Sequence, residues 1–159
     1  MKGGQGSLKK FLFVLSGTLL LDQVSKLVVL RLMQPGQSIP LLTDFVRLTF
    51  VRNSGVVFGL LSGHRTPLIL TTFLTILVLL FLIFRSRRSR PGMSFSLVLV
   101  LAGAIGNLID RLRLGGVVDF IDVGWKSVRW PVFNVADTAV TVGVLLFLYH
   151  SLLTWHPAE

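Results

Sequence analysis

The chain has 159 residues, 52% hydrophobic and 14% charged, with a mean hydropathy of +0.76 and a formal net charge of +9. So much apolar sequence in so short a chain excludes an ordinary soluble domain and points to a single membrane domain, residues 1–159, of a few helices. The basic residues lie mainly between apolar runs, where they act as topology signals and contacts to anionic lipid; no separate polar domain presents a basic face, so nucleic acid is not an expected partner.

Met1 to Lys10 is short and basic, and an apolar run at about 11–31 follows. The start imitates a secretory signal peptide, but LDQVSK stands where a small-residue cleavage site would be, so an uncleaved first span is expected. A central Asp or Lys in such a span costs roughly 2.5–3.5 kcal/mol on insertion scales. Asp22 and Lys26 are four apart on one helix face and can offset that cost by pairing. Their expected role is a structural ion pair facing the bundle.

Residues 34–65 do not read as a span. Pro35, Gly36 and Pro40 break helix, and Phe45 to Arg52 carries the β-branched and aromatic content of strands lying against the membrane surface. Asn53, Ser54 and Gly55 carry a turn signal, with a hairpin turn as the plain alternative to any role in a site. A clean apolar run at about 67–84 is long enough to cross a bilayer. The basic run RSRRSR follows at 85–90. A third span is expected at about 94–112, an outer segment at 113–131, and a fourth span at about 134–155. The density of Arg in the 85–90 loop places that loop and both termini in the cytoplasm. Residues 34–65 and 113–131 then lie outside.

Four of the seven acidic residues, Asp110, Asp119, Asp122 and Asp137, fall between Gly103 and Asp137. Carboxylates gathered at one membrane boundary need a reason. Asp119 follows the third span among apolar neighbours, and Asp137 stands one turn into the fourth. Both belong at the outer face and can meet across the bundle. Two carboxylates brought close cannot both ionise easily, so they share a proton. The ionised member can deprotonate water, and the protonated member can polarise a peptide carbonyl. Asp137 also has a structural alternative, as an acid favoured in a first helical turn. Asn107, Asp110 and Arg111 share one helix face, and Asn134 stands three residues before Asp137. The group of Asn107, Asp110 and Arg111 has an equal alternative as a polar patch that stabilises packing.

There are no cysteines, which excludes thiol chemistry, and His64, His150 and His156 are scattered outside the acidic cluster with no HExxH present, which argues against a zinc peptidase or a Ser-His-Asp hydrolase. No metal or other cofactor is expected. The main rivals are a proton-coupled transporter using Asp22, Asp110 and Asp137 as a relay, and a non-enzymatic lipid or signal-peptide chaperone.

Four blocks resemble bacterial lipoprotein signal peptidase (signal peptidase II) in family order: LDQVSK, NSGVVFGLL, GAIGNLIDRLRLGGVVDFID and FNVADTAVTVG. The resemblance implies an α-helical integral membrane protein of four transmembrane helices with a small β-rich extracytoplasmic element. It implies an aspartic endopeptidase of the inner membrane that removes the signal peptide from diacylglyceryl-modified prolipoproteins, cutting before the lipidated cysteine. By the motifs, Asp119 and Asp137 match the catalytic pair. Asn53, Gly55, Asn107, Asp110, Arg111 and Asn134 match residues that support the site or bind substrate, and Asp22 and Lys26 match a structural motif of the first helix. The implied partners are the lipid-modified substrate and membrane lipids, with nothing that demands more than a monomer. One departure stands out: Val56 and Val57 follow the Asn53 turn, where the family usually has alanines.

Overall fold

The computed structural model describes residues 3–55, 65–86 and 91–153. Four long helices dominate it: α1 (Gly3–Leu32), α2 (Arg65–Ser86), α3 (Pro91–Leu114) and α4 (Val135–Leu153). Each contains a stretch long and apolar enough to cross a membrane. Four strands complete the fold: β1 (Ser38–Leu42), β2 (Val46–Asn53), β3 (Val117–Trp125) and β4 (Val128–Arg129). The protein is a four-span helical membrane protein with a small antiparallel sheet. The helices overrun the expected spans where polar residues continue the helix, as at Lys9 and Lys10, and where Pro91 occupies a first helical position that needs no N–H. Residues 154–155 of the expected fourth span and Arg87, Arg88 and Arg90 of the basic loop lie outside the described residues, as do Val56 and Val57.

α3 is the central helix and packs against each of the other three. Its approach to α4 depends on missing side chains. A Cβ on Gly103 would run into the Ala136 carbonyl, and one on Gly143 would stand 2.8 Å from the Ser96 carbonyl oxygen. Small residues permit such backbone contact in a bilayer, where packing rather than the hydrophobic effect joins helices. α2 packs on α3 through Ile76, Leu79, Leu97 and Leu101.

The sheet runs β1-β2-β3-β4 in space. β2 and β3 are far apart in sequence yet pair antiparallel, with Val51 opposite Asp119 and Asn53 opposite Val117. Val29 of α1 and Met33, one residue past its end, pack with Phe50, Val118 and Phe120, so the end of the first span is fastened to the sheet. Gly115, at φ +77°, turns the chain out of α3 in a conformation that L side chains resist. Gly116 then lets the strand pass Asn53, whose carbonyl oxygen would lie 2.9 Å from an added Cβ.

Candidate active site

The site forms where the C-terminal part of α1, the C-terminal end of α3, the start of α4 and strands β2 and β3 converge. α4 begins with a reciprocal cap. The Asn134 Oδ1 accepts from the Asp137 N–H at 2.9 Å, and Asp137 Oδ2 accepts from the Asn134 N–H at 3.3 Å. The pattern is a capping box with Asn and Asp in its two positions. A third orphan amide of the first turn, Ala136 N–H, donates to Asp22 Oδ1 of α1 at 2.8 Å. Local helix-start chemistry therefore fixes the Asp137 carboxylate.

β-pairing fixes Asp119, which is 2% exposed. Asn53, at the end of β2, donates to Asp119 Oδ2 at 3.1 Å, and its Oδ1 accepts from Gly55 N–H at 3.0 Å. The turn expected at Asn53 to Gly55 is therefore present, and the same amide reaches the carboxylate. Asn134 donates to Asp119 Oδ1 at 2.6 Å. On the other side Asn107 donates to Asp137 Oδ1 at 2.7 Å, and its Oδ1 accepts from Asn134 at 3.3 Å. Asp119, Asn134, Asn107 and Asp137 thus form one hydrogen-bonded chain across β3, α4 and α3.

Both carboxylates line a cavity of about 530 Å³. Asn53, Gly55, Asn107 and Arg111 give it a polar side; Val117, Trp130, Phe133, Val140 and Val142 give it an apolar one. Phe133 is held against β3 by backbone bonds in both directions with Ile121. Burial, and next the negative charge of Asp137, push the Asp119 carboxyl up to about 6. Hydrogen bonds from Asn53 and Asn134 and the charge of Lys26 oppose that rise. Cavities that combine apolar walls with few convergent polar groups are the usual form of ligand sites.

Asp110 stands behind the cavity rather than in its wall. Its Oδ2 accepts from Lys26 Nζ at 2.9 Å and from Val118 N–H at 3.1 Å. Lys26 also meets Asp22 Oδ2 at 2.9 Å and Asn107 Oδ1 at 3.0 Å. The Asp22–Lys26 pair is therefore buried, and Asp110 adds a third charge to it. Asp122, 5% exposed, accepts from Thr49 and Arg129, both at 2.6 Å, and ties β3 to its neighbours. Gln23 was not expected at the site. Its amide donates to Asp22, Asp110 and the Gly106 carbonyl. Its place beside Asp22 in LDQVSK was the one available signal. The wall from Trp130 to Val132 had no local signal at all.

A family model described as signal peptidase (SPase) II matches residues 14–153. Lipoprotein signal peptidases of Geobacter metallireducens and Moorella thermoacetica are 42% and 41% identical to the chain over 139 and 143 residues. Those matches cover 86% and 90% of the chain, and 86% and 93% of the relatives. Two solved structures of bacterial membrane enzymes superpose with TM-scores of 0.87 and 0.82 at 30% and 32% identity. They cover 95% and 93% of this chain, and 94% and 95% of theirs.

Proposed function

The chain belongs to the signal peptidase II family, and on that premise we propose that it is an aspartic endopeptidase that cuts diacylglyceryl-modified prolipoproteins just before the lipidated cysteine, with Asp119 and Asp137 as its catalytic residues. The observation that carries the proposal is that these two carboxylates line one cavity and are joined through Asn134 and Asn107. One carboxylate is ionised and takes a proton from water as the water oxygen attacks the scissile carbonyl. The other gives its proton to the carbonyl oxygen. On collapse of the tetrahedral intermediate, the first carboxyl protonates the leaving amine and the intermediate returns a proton to the second. The peptide bond is hydrolysed and the pair regains its single proton. The raised Asp119 carboxyl suits a pair that shares one proton near neutral pH.

The polar side of the cavity suits a peptide backbone, with Asn53, Gly55 and Arg111 as substrate contacts, and the apolar side suits lipid or a signal helix. The orientation follows from charge. Lys9, Lys10 and Arg85 mark the membrane face away from the site, and density of Lys and Arg marks the cytoplasmic side. An even number of spans returns the chain to the side it started from, so both termini are cytoplasmic and the site is near the outer face. The protein acts as a single membrane domain and a monomer. The relay of a transporter fits less well, because Asp22 and Asp110 are held by Lys26 instead of lining a path.

The test is to incubate the purified protein in detergent with a diacylglyceryl-modified prolipoprotein and determine the product ends by mass spectrometry. A product that begins at the lipidated cysteine supports the proposal. A folded protein that releases no such product overturns it.

A further inference from the structure

Lys26 is 2% exposed, and its three ammonium protons have three acceptors: Asp22, Asp110 and Asn107. An ion pair that only held α1 to α3 would need the two carboxylates alone. The third bond runs forward into the site. An amide has one accepting and one donating end, and its orientation follows from its partners. Because the Asn107 Oδ1 is taken by Lys26 at 3.0 Å and by Asn134 at 3.3 Å, its Nδ2 must point at Asp137, where it donates at 2.7 Å. With the amide reversed, its NH₂ would face an ammonium and its oxygen a carboxylate.

We infer that Lys26 is a positioning residue for catalysis: it locks the Asn107 amide so that this amide donates to Asp137 and holds Asp137 as the ionised, water-activating member of the pair. The inference rests on the two-aspartate reading above. Asp137 also accepts from the Asn134 N–H in the first turn of α4, where a helix favours negative charge. The charged groups that face it are Asp22 and Lys26 from α1, Arg111 from α3 and Asp119 from β3, with Asp110 of α3 behind them on Lys26. Asp119, buried where Asp137 is only half-buried, then carries the proton.

Removing Lys26 alone strands two buried carboxylates, so the test uses Lys26→Met with Asp110→Asn. That double variant keeps the triad's net charge at −1, as in the wild type, since one carboxylate then stands without a cation. Asn107→Leu is the second variant; it leaves Lys26 paired with Asp22 and Asp110. Each is assayed for kcat, KM and the pH dependence of kcat on a diacylglyceryl-modified prolipoprotein, beside wild type and Asp119→Asn. For each folded variant kcat should fall at least about tenfold, with KM within about threefold. The acid limb of kcat should move to higher pH, because Asp137 loses a donor to its charged form. Combining the changes should add little beyond Asn107→Leu alone, since both break one chain.

A folded Asn107→Leu or double variant with wild-type kcat and an unmoved acid limb would overturn the inference, as would a loss of thermal stability alone. Should the double variant not fold, Asn107→Leu decides. Asp119→Asn separates the two levels: if it cleaves like wild type, the two-aspartate reading has failed, whereas if it is inactive while Asn107→Leu behaves like wild type, only the role of Lys26 has failed.

Discussion

The Asn134 amide donates to Asp119 Oδ1 at 2.6 Å while its oxygen caps the first turn of α4. One fully buried side chain therefore starts the fourth span and holds a carboxylate of the third strand. Asn134→Ala removes both. The lost cap and the unpaired groups should lower stability by about 1–3 kcal/mol. Thermal unfolding in detergent checks this, and kcat should fall with it. An unchanged melting temperature would mean that the first turn holds without its cap.

Asp119 gives the stability a pH dependence of known sign. Its folded pKa, about 6, lies above the ordinary 3.8, so the folded state holds the proton more tightly than the unfolded one. That contribution is fully present below about 4 and is lost as pH rises through about 6, where the loss is on the order of 2 kcal/mol. Asp119→Asn cannot ionise, so its melting temperature should change less than the wild type's between these pH values. An identical slope in both proteins would contradict the assignment of the shift to Asp119.

The Asp22–Lys26–Asp110 cluster should respond differently to single and double changes. Breaking a buried pair typically costs about 3–5 kcal/mol, because the partner is left charged and unpaired. Lys26→Met should therefore melt far below the wild type. Lys26→Met with Asp110→Asn should regain much of that loss, since the amide oxygen that replaces the Asp110 carboxylate can still accept from Val118 N–H. Equal losses in the two variants would show that the cluster's charge balance does not matter.

Gly103→Ala tests the contact of α3 with α4. The added methyl meets the Ala136 carbonyl, which is backbone and cannot rotate away. The helices must separate, at a cost of about 1–3 kcal/mol. Because Ala136 lies between Asn134 and Asp137, the shift should also lower kcat. Gly17→Ala is the control, since nothing lies near that position.

The spans were legible because twenty or so apolar residues in a row have few other structures open to them. The segment containing β2 was legible too, from its β-branched and aromatic residues. The apolar neighbours of Asp119 were visible, but its strand partner was not: pairing of Val51 with Asp119 spans a long stretch of chain, and no local pattern announces it. The paired roles of the site residues were hidden for a related reason. Asn134 shows itself in sequence as a helix-start residue, and only the arrival of β3 makes its other end a ligand of Asp119. Spacing grouped Asn107, Asp110 and Arg111 on one face. Folding divides them, with Asn107 and Arg111 in the cavity wall and Asp110 behind it.

The most direct measurement is cleavage of a diacylglyceryl-modified prolipoprotein by wild type, Asp119→Asn and Asp137→Asn, each purified and shown to be folded. Two carboxylates that share one proton are both required, so each folded variant should lose at least about a thousandfold in kcat. Cleavage near the wild-type rate by either folded variant would contradict the assignment of Asp119 and Asp137 as the catalytic pair.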